Sequence, residues 1–158
     1  MRVVTLTGPG GSGKTRLAIA AAESLVAVFP DGVYFVPLAS VTSPDVMWTT
    51  IAEVLDVPPE GRIPPGFFAH VAHRTAVFVL DNLEQLPDAD TVVAQLLAAA
   101  PQVVIIATSR RPLHVAAEHE HPVPPLELPE DTTLAEAEAS GAVQLFVSRP
   151  ARSNPASL

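Results

Sequence analysis

Eight consecutive residues of this chain have the types and spacing to grip a phosphate. Gly8-Pro9-Gly10-Gly11-Ser12-Gly13-Lys14-Thr15 fits the pattern G-x-x-x-x-G-K-[ST] in full. In such a loop the glycines let the backbone curve until successive N–H groups converge on phosphate oxygens. The helix that follows turns its positive N-terminal end toward the same anion. Lys14 would reach the β- and γ-phosphates, and the Thr15 hydroxyl would coordinate Mg²⁺. Arg16, the next residue, completes the phosphate-binding set. Lys14 is also the only lysine of the chain, against eight arginines. A compact ammonium is thus kept at the one place where this chemistry needs it. The bland alternative is a glycine-rich turn that holds no ligand. The bare pattern arises by chance in roughly one chain of this length in a few hundred. An apolar run before it and an Ala/Leu-rich run after it favour the phosphate reading.

A second acidic position lies downstream. Val77-Phe78-Val79-Leu80-Asp81 is an apolar strand pattern ending in a carboxylate, the Walker B form. A buried strand would deliver Asp81 to the carboxyl edge of a parallel sheet, beside the phosphate loop, to hold Mg²⁺ through a water. By itself the pattern is weak, because many strands end in an aspartate that only caps or turns; downstream of a complete phosphate loop the metal role is preferred. Many ATPases place a glutamate directly after this aspartate to activate water. Here that residue is Asn82, which takes no proton, and this argues against fast hydrolysis. Glu84, two residues on, is the substitute base, set against the plainer reading of an exposed surface glutamate. Thr108-Ser109-Arg110-Arg111 closes a further apolar run at the same edge. Thr108 could bond the attacking water or a phosphate, and Arg110 could sense the γ-phosphate through a charge-assisted contact. A solvated strand-end cluster is the alternative.

The elements that must position these groups follow from periodicity. Residues 2–7, 33–38, 76–80 and 102–108 read as short buried strands, with a fifth at 121–123. Residues 16–28 form a helix closed by Pro30, Asp31 and Gly32. Ser43 is an N-cap and Pro44 the first residue of a helix to about Leu55. A Pro/Gly-rich loop over 57–65 leads to a short helix over 67–73. Asp88 or Asp90 caps a helix to about Ala100, and 132–147 is helical with Val143, Phe146 and Val147 on one face. Residues 149–158 read as a disordered tail. Strands alternating with helices, each strand nearly all apolar, imply a parallel sheet covered on both faces.

Composition bounds the rest. A length of 158 residues suits one domain with a sizeable core, and the 48% hydrophobic content is mostly Ala, Val and Leu. No apolar run reaches transmembrane length, and no signal peptide is evident, so a soluble cytoplasmic protein with no membrane partner is expected. The absence of cysteine excludes disulfides and thiolate metal sites. A net charge of −8, with scattered arginines, opposes direct nucleic-acid binding. Glu118-His119-Glu120-His121 puts two histidines on one face of an extended segment, but no third ligand is near, and a solvated edge is preferred. His70 and His73 are read as packing or solvated residues, and Met47 and Trp48 as core. A self-contained P-loop enzyme, an active ATPase or a small kinase, is the rival reading. Arg74, Arg110 and Arg111 are its only basic candidates, and no lid is apparent.

The order of these motifs resembles the nucleotide-binding domain of the signal-transduction ATPases with numerous domains (STAND), the group that includes NB-ARC and apoptotic ATPases. It is similar above all to those in large bacterial transcriptional regulators of actinobacterial type. The matching segments are residues 5–18, 29–36, 79–86, 107–110, 122–126 and 142–147. The resemblance implies a doubly wound five-stranded parallel sheet of three α/β/α layers, with the Thr108 strand between the phosphate-loop and Asp81 strands. It implies a switch that rests with ADP, exchanges it for ATP and then assembles, so that homo-oligomers and other domains of a parent regulator are its partners. It assigns phosphate and Mg²⁺ binding to Lys14 and Thr15, the Walker B role to Asp81 and nucleotide sensing to Arg110. Adenine over guanine rests on this resemblance alone, and the enzyme is at most a slow ATPase. Residues 1–148 would be the domain, read as truncated: an upstream adenine segment and downstream helical and winged-helix subdomains are expected in the family and not seen here.

Overall fold

Alternation along a single strand sets the architecture. The computed structural model describes residues 1–58, 66–116 and 118–126. In strand β3, Val77–Asp81, all five residues are buried. Phe78 and Leu80 enter one apolar cluster and Val77 and Val79 another, so the strand has a core on each face. Strand β4, Val104–Ser109, repeats the division, with Ile105 and Ala107 on one side and Ile106 on the other. Strands β1, Val3–Thr7, β2, Val33–Pro37, and β5, Glu118–Pro122, complete a five-stranded sheet in the order β2-β3-β4-β1-β5. Every pairing is parallel. β4 lies between β1 and β3, as the resemblance implied.

Helix α1, Lys14–Leu25, covers one face through Ala18 and Ala22. Helices α2, Pro44–Val54, α3, Phe67–Val71, and α4, Ala89–Ala99, build the opposite layer. Small residues on α1 let it approach the sheet closely, whereas the other face is filled by bulk. Trp48 of α2 packs edge-on against Phe67 and Phe68 of α3, with ring centroids 5.4 Å apart in each pair. Phe67 is fully buried, so its loss to Ala would cost about 3–5 kcal/mol.

Local signals hold where they have a mechanism. Ser43 caps α2, its Oγ accepting from Val46 N at 3.4 Å, with Pro44 in the first turn. Met47 and Trp48 are core, and His70 and His73 are exposed. Three expectations need correction. Helix α1 stops at Leu25, and turns rather than helix lead to Phe29. Asp88 sits at the N-cap of α4 with φ 56° and makes no side-chain cap bond, and Asp90 lies inside the first turn, where it serves the helix dipole. The fifth strand spans 118–122, not 121–123, because it is held by backbone pairing to β1 while its side chains face out. The expected loop beyond residue 58, the helix over 132–147 and the tail over 149–158 fall outside the described residues. No described helix is long and apolar enough to cross a membrane.

Candidate phosphate-binding site

In a parallel sheet every strand ends on the same edge, and the candidate residues come from those ends. β1 runs directly into the glycine loop, and Gly13, with φ 87°, turns the chain into α1 in a conformation that a side chain would oppose. Gly8 has a different reason to be glycine: a Cβ there would collide with the Val123 carbonyl. The Val123 N–H in turn donates to Thr7 O at 2.6 Å, so the chain leaving β5 closes against the start of the loop. Leu126 lies beside Gly13. This flank has no chemical motif of its own, although residues 122–126 are among the segments that carry the resemblance, and the strictness of Gly8 is a trace of its closeness.

Inside the loop Lys14 is buried, and its Nζ donates to the carbonyls of Gly8 at 2.8 Å and Pro9 at 2.7 Å. The ammonium is thereby stretched along the loop it would share with a phosphate. Ser12 Oγ is buried beside Gly8 with no hydrogen-bond partner, an open polar group in a place that costs stability unless a ligand satisfies it. Arg16 is exposed in the first turn of α1.

Asp81 gathers the two sides of the site. Its Oδ1 accepts from Thr15 Oγ1 at 2.7 Å and from Thr108 Oγ1 at 2.6 Å. Thr108 also accepts from Asn82 N at 2.9 Å. The single proton of the Thr108 hydroxyl is therefore given to Asp81, so in this arrangement Thr108 holds that carboxylate and the following turn. Thr108 and Ser109 are both buried, whereas Arg110 and Arg111, which follow them, are exposed. The Thr15 hydroxyl and the Asp81 carboxylate are adjacent hard oxygen donors beside a phosphate loop, a set that fits Mg²⁺. When bound, the ion would neutralise phosphate charge there.

Glu84 departs most from expectation. An exposed surface glutamate was the plainer reading, yet its side chain is only 11% exposed. Asn82 takes φ 69°, and the 3-10 turn Leu83–Gln85 folds back with Leu83 buried, which carries Glu84 inward. Its Oε1 lies 3.5 Å from Arg110 Nε, and Oε2 is buried without a partner. The Arg110 Nη2 lies 3.9 Å from where a Cβ on Gly10 would be, so the guanidinium reaches over the phosphate loop.

Other candidates separate from the site. Arg74 precedes β3 at the amino edge, where Nη1 donates to the Tyr34 hydroxyl at 2.8 Å. That placement removes it from any phosphate contact. Arg111 is exposed directly after Arg110, with its backbone N–H donating to Ser109 Oγ at 3.3 Å. Glu118 Oε1 and Oε2 accept from Leu113 N at 2.8 Å and His114 N at 2.6 Å, and Glu120 Oε1 accepts from Thr7 Oγ1 at 2.7 Å. Burial raises the Glu118 pKa, but the hydrogen bonds its carboxylate accepts, these two among them, outweigh it and leave the group below its ordinary 4.5. Among the described residues no three potential metal ligands cluster.

Residues 1–110 match the family model described as AAA domain. The chain is 36% identical over 157 residues to a Mycobacterium bovis protein named "Putative HTH-type transcriptional regulator", covering 98% of this chain and 16% of that protein. The chain thus spans only 16% of the length of this curated relative. Among solved structures, Cdc6p from Pyrobaculum aerophilum superposes with a TM-score of 0.62 at 16% identity, over 87% of this chain and 43% of that one. The ORC2 protein of Aeropyrum pernix, solved as ADPNP–ADP complexes, gives a TM-score of 0.50 at 12% identity, over 76% of this chain and 41% of that one. At these identities the two structures speak for the fold alone.

Proposed function

This chain belongs to the AAA-domain family of P-loop NTPases, and on that premise we propose that it is the nucleotide-binding switch core of a signal-transduction regulator. In this reading it is of the STAND/NB-ARC kind, acts in the cytoplasm, holds ATP or ADP with Mg²⁺, and turns ATP over slowly or not at all. The name of the mycobacterial relative and the small share of it that this chain spans support a role inside a larger transcriptional regulator. Self-association and contacts with other domains of such a regulator would read out the nucleotide.

One observation carries the reading: Asp81 Oδ1 joins Thr15 and Thr108 beside the phosphate loop, with Asn82 instead of a carboxylate directly behind it. The metal and phosphate half of an ATPase is assembled, and the usual base position is empty of a base. Lys14, Thr15 and Arg16 with the loop backbone from Gly8 would bind phosphates, and Thr15 with Asp81 would hold Mg²⁺. A second reading, an active ATPase, draws on Glu84, whose buried carboxylate has one oxygen free.

The test is Mg²⁺-dependent binding of fluorescent ADP and ATP by the chain and by Lys14→Ala, followed by turnover on the same samples. Charge-assisted contacts of about 1.5–3 kcal/mol each make the expected loss in Lys14→Ala about a hundredfold. Negligible turnover by the wild type supports the switch. Turnover above about 1 s⁻¹, lost in Glu84→Gln, would establish the second reading. A folded wild type that binds neither nucleotide would refute both.

A further inference from the structure

Glu84 is costly where it stands. A carboxylate 11% exposed, facing one guanidinium nitrogen at 3.5 Å and leaving a second oxygen unpartnered, is poorly compensated for its desolvation. As a stabilising ion pair it is weak too, since Arg110 is 63% exposed and screened by water. Nor does Glu84 serve the turn it sits on, whose register is held by Leu86 N donating to Leu83 O at 3.1 Å and Gln85 N donating to Asn82 O at 3.2 Å. The cost points to something Glu84 does to its partner.

The orientation of Arg110 supplies that role. Its Nε faces Glu84 and its Nη2 lies above Gly10, so the side chain spans from the acid to the phosphate loop. An exposed arginine carries about 2 kcal/mol of rotamer entropy, which a free side chain loses on gripping a ligand. With Nε facing Glu84, the planar fork keeps its terminal donors, and even a partial bias of its orientation lowers that cost. Gly10 has room for a Cβ in ordinary contact with Nη2, so the guanidinium rests on an open stretch of the loop. Glu84 lies in the turn that follows β3 and Arg110 directly follows β4, the neighbouring strand, so the sheet brings the two side chains together.

We infer that Glu84 is a positioning residue that sets the preference for nucleoside triphosphate over diphosphate, by holding the Arg110 guanidinium over the phosphate loop where a terminal phosphate would lie. The inference rests on the reading that this loop holds nucleotide. It differs from a catalytic-base role, because Glu84 acts through Arg110 and takes no proton.

The test is a double-mutant cycle on the ratio of affinities for AMP-PNP and ADP, both with Mg²⁺, using wild type, Glu84→Gln, Arg110→Ala and the double variant. Each single change is expected to lower the triphosphate preference about fivefold, and the double variant no further than either single one. Glu84→Asp, which keeps the charge on a shorter stem, recovers part of the preference. Thermal melts confirm that each variant is folded; Glu84→Ala replaces Glu84→Gln, and Arg110→Gln replaces Arg110→Ala, where one is not. An unchanged ratio in Glu84→Gln overturns the inference, as does a double variant whose loss is the product of the single losses. Loss of turnover in Glu84→Gln with the ratio intact also overturns it, in favour of the base. Absence of nucleotide binding by the wild type refutes the underlying function as well, whereas binding that depends on Lys14 with an additive cycle refutes this inference alone.

Discussion

The two edges of the sheet spend their polar groups differently. At the amino edge they are spent on each other. Asp31 N donates to Thr75 O at 3.2 Å while Thr75 N donates to Asp31 Oδ2 at 2.7 Å. Arg74 lies over the Tyr34 ring, and the Tyr34 hydroxyl donates to Asp31 O at 2.7 Å. Arg2 donates from Nε to Val103 O at 3.2 Å and from Nη1 to Leu97 O at 3.0 Å, and Nη2 bonds Ala100 O, so one guanidinium closes the carbonyl end of α4. At the carboxyl edge, Ser12 Oγ and Glu84 Oε2 are buried without partners. The same strands therefore end in self-satisfied chemistry on one side and in unfinished chemistry on the other. Unfinished polar groups cost stability, and a ligand phosphate would complete the Ser12 hydroxyl.

That contrast is broken most sharply by a crossed pair of variants. Lys14→Ala is expected to cost about a hundredfold in nucleotide affinity and, through its two lost carbonyl bonds, less in the stability of the nucleotide-free chain than a change at Arg2. Arg2→Met is expected to do the reverse, costing about 2 kcal/mol in urea unfolding through the lost carbonyl bonds and helix-end charge, with affinity intact. A Lys14 variant that unfolds, or an Arg2 variant that loses nucleotide, would erase the division of labour between the edges.

Thr108→Val sharpens it, since this residue belongs to both accounts. It removes the donor to Asp81 and leaves Asn82 N without its acceptor, so a stability loss of about 1–2 kcal/mol should accompany a weaker Mg²⁺ dependence of binding. Equilibrium unfolding and a Mg²⁺ titration on one sample would read both. The smallest effect concerns Glu118. Its folded pKa is depressed, so its contribution is complete above the ordinary 4.5 and fades as pH falls below that value through the folded one. Glu118→Gln should therefore lessen the loss of stability on going from pH 5 to pH 3, measured by urea unfolding at each pH.

How much of this could be read from the chain alone follows from what carries each signal. β1, β3 and β4 are buried almost throughout, and their predominantly apolar runs declare them. The phosphate loop and Asp81 are legible because their residue types are constrained by chemistry. β5 was placed only at its last two residues, since Glu118, His119 and Glu120 form no apolar run and pairing to β1 uses backbone atoms that every residue has. The burial of Glu84 hangs on a left-handed Asn82 and one short turn, which no periodicity encodes. Arg2 and Arg74 look like any surface arginine until the strand order places them at the edge away from the phosphate loop.

The burial of β3 has a mechanical consequence. Asp81 ends a strand whose residues are paired to β2 on one side and β4 on the other and are buried throughout. Amides in such a strand exchange with solvent only when the whole sheet opens. Asp81 and Thr108 are thus a fixed datum, while Arg110 and the loop carrying it lie at the surface and can shift without unfolding anything. Any movement that reports nucleotide has to be made by the second group against the first, and hydrogen exchange would divide the site into those two halves.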